Sequence, residues 1–384
     1  MEYYIKADRF LLESEEKIGG YLLVENGRFG NFVNKVPVCA VVEDWTGYTV
    51  APGLFDTHIH GIKNYDVMDG TVKAVQEISA ILPELGVTRF LPTTLTSSKH
   101  DLQKAILAVK EGIDKGLPGA KSEGIFLEGP YFTNKHKGAQ NPAFFRNPSY
   151  EEFTEWQQLA DGMIVKVALA PERPGSIDFI EKVSKENVFI SIAHTDASYE
   201  CCRNAIKAGA TIFVHLFNGM SGLHHRKPGA VGAALLNNQT YTEIICDGFH
   251  VHPHMANLAF QIKEEKLVLI TDCMRAGLMP DGDYSLGDFQ VKMNNNIART
   301  VTGSLAGSTL TLIDGVKNFY KWSRKGLHIV WHLASLSPAN SIGKGNQLGS
   351  ISPGKLADYV VIDENFEVQM TAITGEIIYK RLNI

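Results

Sequence analysis

His58 and His60 stand two residues apart in the stretch PGLFDTHIHG, residues 52–61. On an extended strand, alternate side chains share a face, so both imidazoles point the same way and Asp56 points with them. Phe55, Thr57 and Ile59 alternate with them and are expected to pack away from that face. Two imidazoles converging from one strand end make half of a metal site. By itself the pattern equally fits a strand with two hydrogen-bonded histidines. Other short apolar runs end in residues of the same kind: EGIFLEGP in Glu128, VFISIAHTDA in His194, TIFVHLFNGM in His215, TEIICDGFHVHP in Asp247 and His250, and LVLITDC in Asp272. Singly, such residues are structural histidines or aspartates capping helices. Four runs ending in histidine and two in a carboxylate predict a metal centre, provided the fold brings the run ends together.

The elements between them predict how that happens. From Pro52 onward, eight short apolar runs alternate with amphipathic stretches such as 72–85, 101–115, 176–185 and 198–208. Alternating β and α with nearly continuous apolar strands implies a buried parallel sheet. Eight such units closing on themselves make an α/β chain with a (β/α)8, TIM-like barrel, whose catalytic residues come from the C-terminal strand ends. A doubly wound sheet fits less well, because no Gly-rich nucleotide turn follows the first strand. Residues 1–51 and 346–384 have a different texture, of short strands and turns, with a hairpin signal at Asn26-Gly27. They predict a small, discontinuous β-sandwich domain built from both termini, flanking a barrel over 52–345.

Composition narrows the setting. The 384 residues carry a net charge of -5, with 44% hydrophobic and 21% charged residues, as in ordinary globular enzymes. Neither nucleic acid nor a membrane is an expected partner. Five cysteines, an odd number without a C-x-x-C pair, read as free thiols in a reducing compartment. The charged N-terminus lacks the apolar core of a signal peptide, so the expected location is the cytoplasm.

From APGLFDTHIHG through LEGPYF, KGAQNP, AHTDA, HLFNGM, DGFHVHP and ITDCMRAG to TGSLAGSTLTL, the chain resembles the amidohydrolase superfamily and, within it, the N-acetylglucosamine-6-phosphate deacetylase family. H-x-H marks the superfamily, and LEGP with H-L-F-N-x-M and D-G-x-H marks the deacetylases. The resemblance implies metal-dependent hydrolysis of N-acetylglucosamine 6-phosphate to glucosamine 6-phosphate and acetate, in amino-sugar catabolism and cell-wall recycling. It implies that Glu128, His194 and His215 hold a divalent metal, zinc or iron, and that His58 and His60 bind a second one bridged by Glu128. Some family members lack the H-x-H pair and work with one metal, so the expectation is one or two per subunit. Asp272 would accept a proton from the metal-activated water and pass it to the departing amine. His250 would touch the sugar and orient the acetamide. The phosphate would be held by main-chain amides at Asn218, Gly219 and Met220, and by Arg226, with His225 beside it, reaching from the second subunit of a homodimer. Gln140 stands where some relatives carry a sugar-contacting histidine, and Leu305 and Ala306 match a segment near the sugar. Ser308 is expected to cap the following helix.

Two other readings are open at this point. A different small amide or N-acetylated sugar phosphate would suit the same chemistry, although relatives that bridge their metals with a carboxylated lysine have Glu128 replaced by that group. A non-catalytic barrel would be expected to have lost ligands, which this chain retains.

Overall fold

The computed structural model describes residues 2–381; Met1 and residues 382–384, at the ends of the expected terminal domain, lie outside the described residues. Eight parallel strands follow the apolar runs: β1 (Leu54–Ile59), β2 (Val87–Pro92), β3 (Ile125–Tyr131), β4 (Ile164–Leu169), β5 (Phe189–Ile192), β6 (Ala210–Phe213), β7 (Tyr241–Ile245) and β8 (Leu267–Ile270). Each is followed by a helix: α1 (Val72–Ile81), α2 (Lys99–Asp114), α3 (Tyr150–Leu159), α4 (Ser176–Val183), α5 (Tyr199–Ala208), α6 (Gly229–Leu236), α7 (Pro253–Lys263) and α8 (Leu312–Ser323). Hydroxyl side chains of Thr71, Ser98, Ser149, Ser198 and Thr311 cap α1, α2, α3, α5 and α8, each accepting a backbone N–H of the first turn. The cap of α8 is therefore Thr311, not Ser308, whose hydroxyl instead donates to the Thr271 carbonyl.

Two apolar layers hold the strands. Inside, Phe55, Leu91, Phe126, Ala168, Ala193 and Val214 supply one residue from each of β1 to β4 and from the ends of β5 and β6. Outside, a larger cluster joins the other strand faces to the helices, from Leu54 and Val75 to Trp156, Phe179 and Phe319. The hydrogen-bond ladders run as two parallel sheets, β1–β2 and β3–β8, rather than as the single closed ladder expected. Single parallel bridges link the neighbouring ends, Thr93 to Phe126 and Ile59 to Cys273. The β1–β2 register slips between Asp56 and Ile59, across the H-x-H residues, so regular pairing lapses there.

The two termini do join, through the antiparallel pairing of Val42–Pro52 with Tyr359–Ile362. They form one eight-stranded sheet with its own core around Ile5, Phe10, Trp45, Tyr359 and Met370, not the two stacked sheets of the expected sandwich. The Asn26-Gly27 hairpin is present, with both residues at positive φ, joining Tyr21–Glu25 to Arg28–Val33. Arg89 on β2 ties this sheet to the barrel by a bidentate pair with Asp358, 2.6 and 3.1 Å, and by a contact to Glu123 at 2.9 Å. One element was not anticipated: three antiparallel strands, Gly282–Leu286, Phe289–Asn294 and Ile297–Thr300, between β8 and α8. Its signal was legible as alternation broken by Gly287-Asp288 and Asn295-Asn296 turns. No helix among the described residues is long and apolar enough to cross a membrane.

Candidate metal centre

The strand ends converge as the run-end pattern predicts. Glu128 lies within β3, His58 within β1, and His60 directly after it. His194, His215 and Asp272 follow β5, β6 and β8 at turns where each adopts positive φ, 42°, 34° and 51° respectively. Non-glycine residues avoid this region, and such strain concentrates where a side chain must be aimed. Glu128 Oε1 lies 3.4 Å from His194 Nε2 and 3.3 Å from His215 Nε2. Asp272 Oδ1 lies 3.3 Å from His58 Nε2 and 3.2 Å from His60 Nε2. Glu128 joins the halves, its Oε2 being 3.3 Å from His60 Nε2. Two groups that could each hold a metal ion result, Glu128 with His194 and His215, and His58 with His60 and Asp272.

The hydrogen bonds behind these ligands decide which lone pairs face inward. His60 Nδ1 lies 3.2 Å from the Thr93 carbonyl, His194 Nδ1 2.9 Å from that of His136, and His215 Nδ1 3.0 Å from that of Asn218. A carbonyl can only accept, so each Nδ1 carries a proton and Nε2 is the nitrogen left to offer a lone pair to a cation at the centre. Buried imidazole nitrogens and carboxylate oxygens converging on one place fit a divalent cation.

Electrostatics point the same way. Burial opposes the charge on Glu128, but His58, His194 and His215 outweigh it and hold the carboxyl well below its usual range. Burial likewise opposes Asp272, and His58 and His60 bring it down to about 2. For His60, burial is outweighed by Asp272 and Glu128, which raise it well above an ordinary imidazole. For His58, burial wins and the value is lowered. Two ionised carboxylates in a dry site thus require positive charge beside them, which a bound cation supplies.

A profile of the amidohydrolase family matches residues 49–378. This chain belongs to the amidohydrolase family. It is 42% identical over 328 residues to an N-acetylglucosamine-6-phosphate deacetylase of Vibrio furnissii, covering 85% of this chain and 82% of that one. It is 36% identical over 377 residues to an N-acetylgalactosamine-6-phosphate deacetylase of Escherichia coli, covering 98% and 99%. Among solved structures, it superposes with a TM-score of 0.93 on a mutant N-acetyl-D-glucosamine-6-phosphate deacetylase from Mycobacterium smegmatis in complex with N-acetyl-D-glucosamine 6-phosphate, at 28% identity over 99% of this chain and all of that one.

A cavity of about 240 Å³ opens above the centre of this amidohydrolase. Of the residues singled out from sequence, His60, Glu128, His194, His215, His250 and Asp272 line it, as do Gln140, Asn218, Gly219 and Leu305. His58 lies beneath, fully buried. Met220 and Ala306 do not line it: Met220 pairs with Thr195, and Ala306 packs with Leu95, Met274 and Leu286 under the inserted sheet. Arg226 and His225 are exposed and contact each other at 2.7 Å, outside the lining of their own chain's cavity. The Asn218 N–H is already spent on the His215 carbonyl, 2.9 Å away, so it is not a free donor for a phosphate. Gln140 is also engaged: its amide donates to Glu128 Oε2 at 2.7 Å and accepts from the Thr96 N–H at 3.0 Å. It fixes a ligand carboxylate as well as facing the cavity. Gly219, at φ 59°, is required, because a Cβ there would stand 2.8 Å from His194 Nδ1.

Sequence reasoning missed several supporting groups. Asp247 was noted at a strand end without a role; it accepts from His250 Nδ1 at 2.6 Å. Asp56 does not join the ligands but accepts from Thr271 Oγ1 at 2.6 Å, and burial raises its carboxyl to about 7. Thr57 does not pack among apolar groups; its hydroxyl donates to Glu243 Oε1 at 3.1 Å. His136 contributes its carbonyl to His194. Backbone carbonyls leave no sequence signal. Leu95, Gly138, Ala139 and Leu286 also line the cavity, Leu286 from the inserted sheet, and Ser304 and Gly307 join them from the TGSLAGSTLTL stretch.

Proposed function

We propose that this protein is a metal-dependent deacetylase that hydrolyses N-acetylglucosamine 6-phosphate to glucosamine 6-phosphate and acetate, in amino-sugar catabolism. The observation that carries this is the convergence of Glu128, His194, His215 and Asp272 on one cavity, in a chain 42% identical to an N-acetylglucosamine-6-phosphate deacetylase. Glu128, His194 and His215 would hold one divalent cation, zinc or iron, and His58, His60 and Asp272 a second. Such a cation supplies Lewis acidity toward an acetamide carbonyl and an attacking water. Asp272, kept ionised by its neighbours, takes the proton of that water and returns it to the departing amine. His250, with its proton held on Nδ1 by Asp247, presents Nε2 to the sugar and the acetamide.

No lysine or arginine is among the described residues lining the cavity, so a phosphate dianion needs a cation from elsewhere. Arg226 on an exposed loop suits that role in a second copy, and Leu223 beside it is 55% exposed, as expected of a surface covered in a homodimer. The terminal sheet over 1–51 and 346–384 would then serve as a separate support for a (β/α)8 barrel over 52–345. The free thiols suit a cytoplasmic location. Gly219 stays close to the phosphate in this reading, with Met220, His225, Leu305 and Ala306 shaping its surroundings.

A specific second reading is N-acetylgalactosamine 6-phosphate, favoured by an N-acetylgalactosamine-6-phosphate deacetylase that is 36% identical and matches nearly end to end. Acetate release from zinc- or iron-loaded protein decides between the two, measured with both hexosamine phosphates and with the unphosphorylated sugar. Faster turnover of the gluco substrate is expected. No release from either phosphate would overturn the proposal, and equal rates with the unphosphorylated sugar would remove Arg226 from its role.

A further inference from the structure

One pair of buried charges lies below the cavity and takes no part in the chemistry above. Lys166 on β4 and Glu243 on β7 are each fully buried inside the barrel. The Lys166 ammonium donates to Glu243 Oε1, and the same oxygen accepts from Thr57. The ammonium also lies 3.8 Å from the centroid of the Phe126 ring, whose edge-on partner is the His58 imidazole at 5.0 Å and 87°. Glu243 is therefore locked in place on one side, with its charge balanced.

Its other oxygen is free. Glu243 Oε2 is buried with no hydrogen-bond partner, and so is His58 Nδ1. The two atoms face each other at 3.6 Å. His58 is the exception among the four clustered histidines, since the other three place Nδ1 against a backbone carbonyl. The gap exceeds hydrogen-bond length, but contacts of this kind tighten when the bound state forms.

We propose that Glu243, held by Lys166 and Thr57, is a positioning residue that keeps the His58 proton on Nδ1, so that Nε2 offers its lone pair to a cation shared with His60 and Asp272. A carboxylate only accepts, which leaves His58 Nδ1 no alternative but to donate. Lys166 keeps that carboxylate ionised in a dry interior where it would otherwise be too costly. The occupancy of the second cation site thus depends on an ion pair that touches neither cation nor substrate. The inference rests on the metal-dependent reading above.

Glu243→Gln tests it. The glutamine carbonyl would turn to Lys166 and Thr57, leaving its NH2 against His58 Nδ1 and forcing the proton to Nε2. Zinc per chain is read by elemental analysis across a titration, and the His58 tautomer by 15N NMR of histidine-labelled, metal-free wild-type protein, assigned with His58→Asn. Wild type is expected to bind two zinc ions and to show His58 protonated at Nδ1. Glu243→Gln should bind the first zinc as before and the second about 10- to 100-fold more weakly, while Lys166→Arg keeps both. Two zinc ions held at wild-type affinity by Glu243→Gln, one zinc ion at saturation in wild type, or a wild-type His58 protonated at Nε2 would each overturn the proposal. The NMR result stands even where the glutamine variant does not fold. Wild type that binds no zinc at all would instead remove the metal-dependent reading itself.

Discussion

Asp247 Oδ2 lies 2.6 Å from His250 Nδ1, and the Asp247 Oδ1 atom accepts the backbone N–H groups of Phe249 and His250 at 2.8 Å. One carboxylate therefore shapes the turn after β7 and aims the imidazole that faces the cavity. Asp247→Ala should lower kcat/KM by about 10- to 100-fold, the loss of a charge-assisted hydrogen bond of roughly 1.5–3 kcal/mol. Zinc content should not change, because Asp247 touches no ligand. Steady-state kinetics beside elemental analysis check both halves.

Asp272→Asn separates proton transfer from cation binding at the first site, where Asp272 is not a ligand. Removing a general acid–base group should cost about 10²- to 10⁴-fold in kcat, with the Glu128, His194 and His215 site still loaded. His194→Ala should act in the opposite order, weakening the first zinc ion itself. An acetate assay at saturating substrate combined with a zinc titration separates the two; near-normal turnover by Asp272→Asn would dismiss the assigned role.

Arg226 acts on a neighbouring copy only if the chains pair, and mixed dimers reveal it. Arg226→Ala and Asp272→Asn are each expected to be poor enzymes alone. Mixed, unfolded and refolded together, they should recover about a quarter of wild-type activity, because half the dimers are hybrids and each hybrid has one intact site. An arginine serving its own chain would give no recovery.

His332 makes stability depend on pH. Burial, with His328 and Lys355 adding to it against Glu13, lowers its imidazole to about 4, and its Nε2 is buried without a partner. Between that value and the unfolded value near 6.5, the unfolded chain binds the extra proton. Stability is thus fully present above the unfolded value and is lost as pH falls through the folded one, by up to about 3 kcal/mol. Urea denaturation at pH 7 and pH 4.5 should show a larger loss in wild type than in His332→Gln.

Arg89→Met should leave Asp358 buried and unpaired and destabilise the junction of barrel and terminal sheet by about 3–5 kcal/mol. A lowered melting temperature with unchanged kinetics at 25 °C is expected, since the pair lies far along β2 from the cavity wall.

The candidate ligand positions were legible from the chain alone because a short apolar strand ending in His, Asp or Glu is an unusual local pattern, and repeating it six times implies one rim. Several helix positions were legible from amphipathic spacing, whereas the one cap expected, Ser308, gave way to Thr311. What the residues touch was not. Glu243 and Lys166 stand in TEIICDG and MIVKVALA as lone charges in apolar runs, and only the approach of β4 to β7 makes them partners. The three carbonyls behind His60, His194 and His215 belong to residues whose side chains do other work. Whether Met220 or Gly219 faces the cavity was settled by the turn that follows His215, not by the motif containing both. Residue types and their period determined the strands, the helices and the kind of chemistry, since these follow from local sterics and burial. Proton placement, free donors and cavity walls were decided by tertiary packing, because they depend on which distant groups arrive within hydrogen-bond reach.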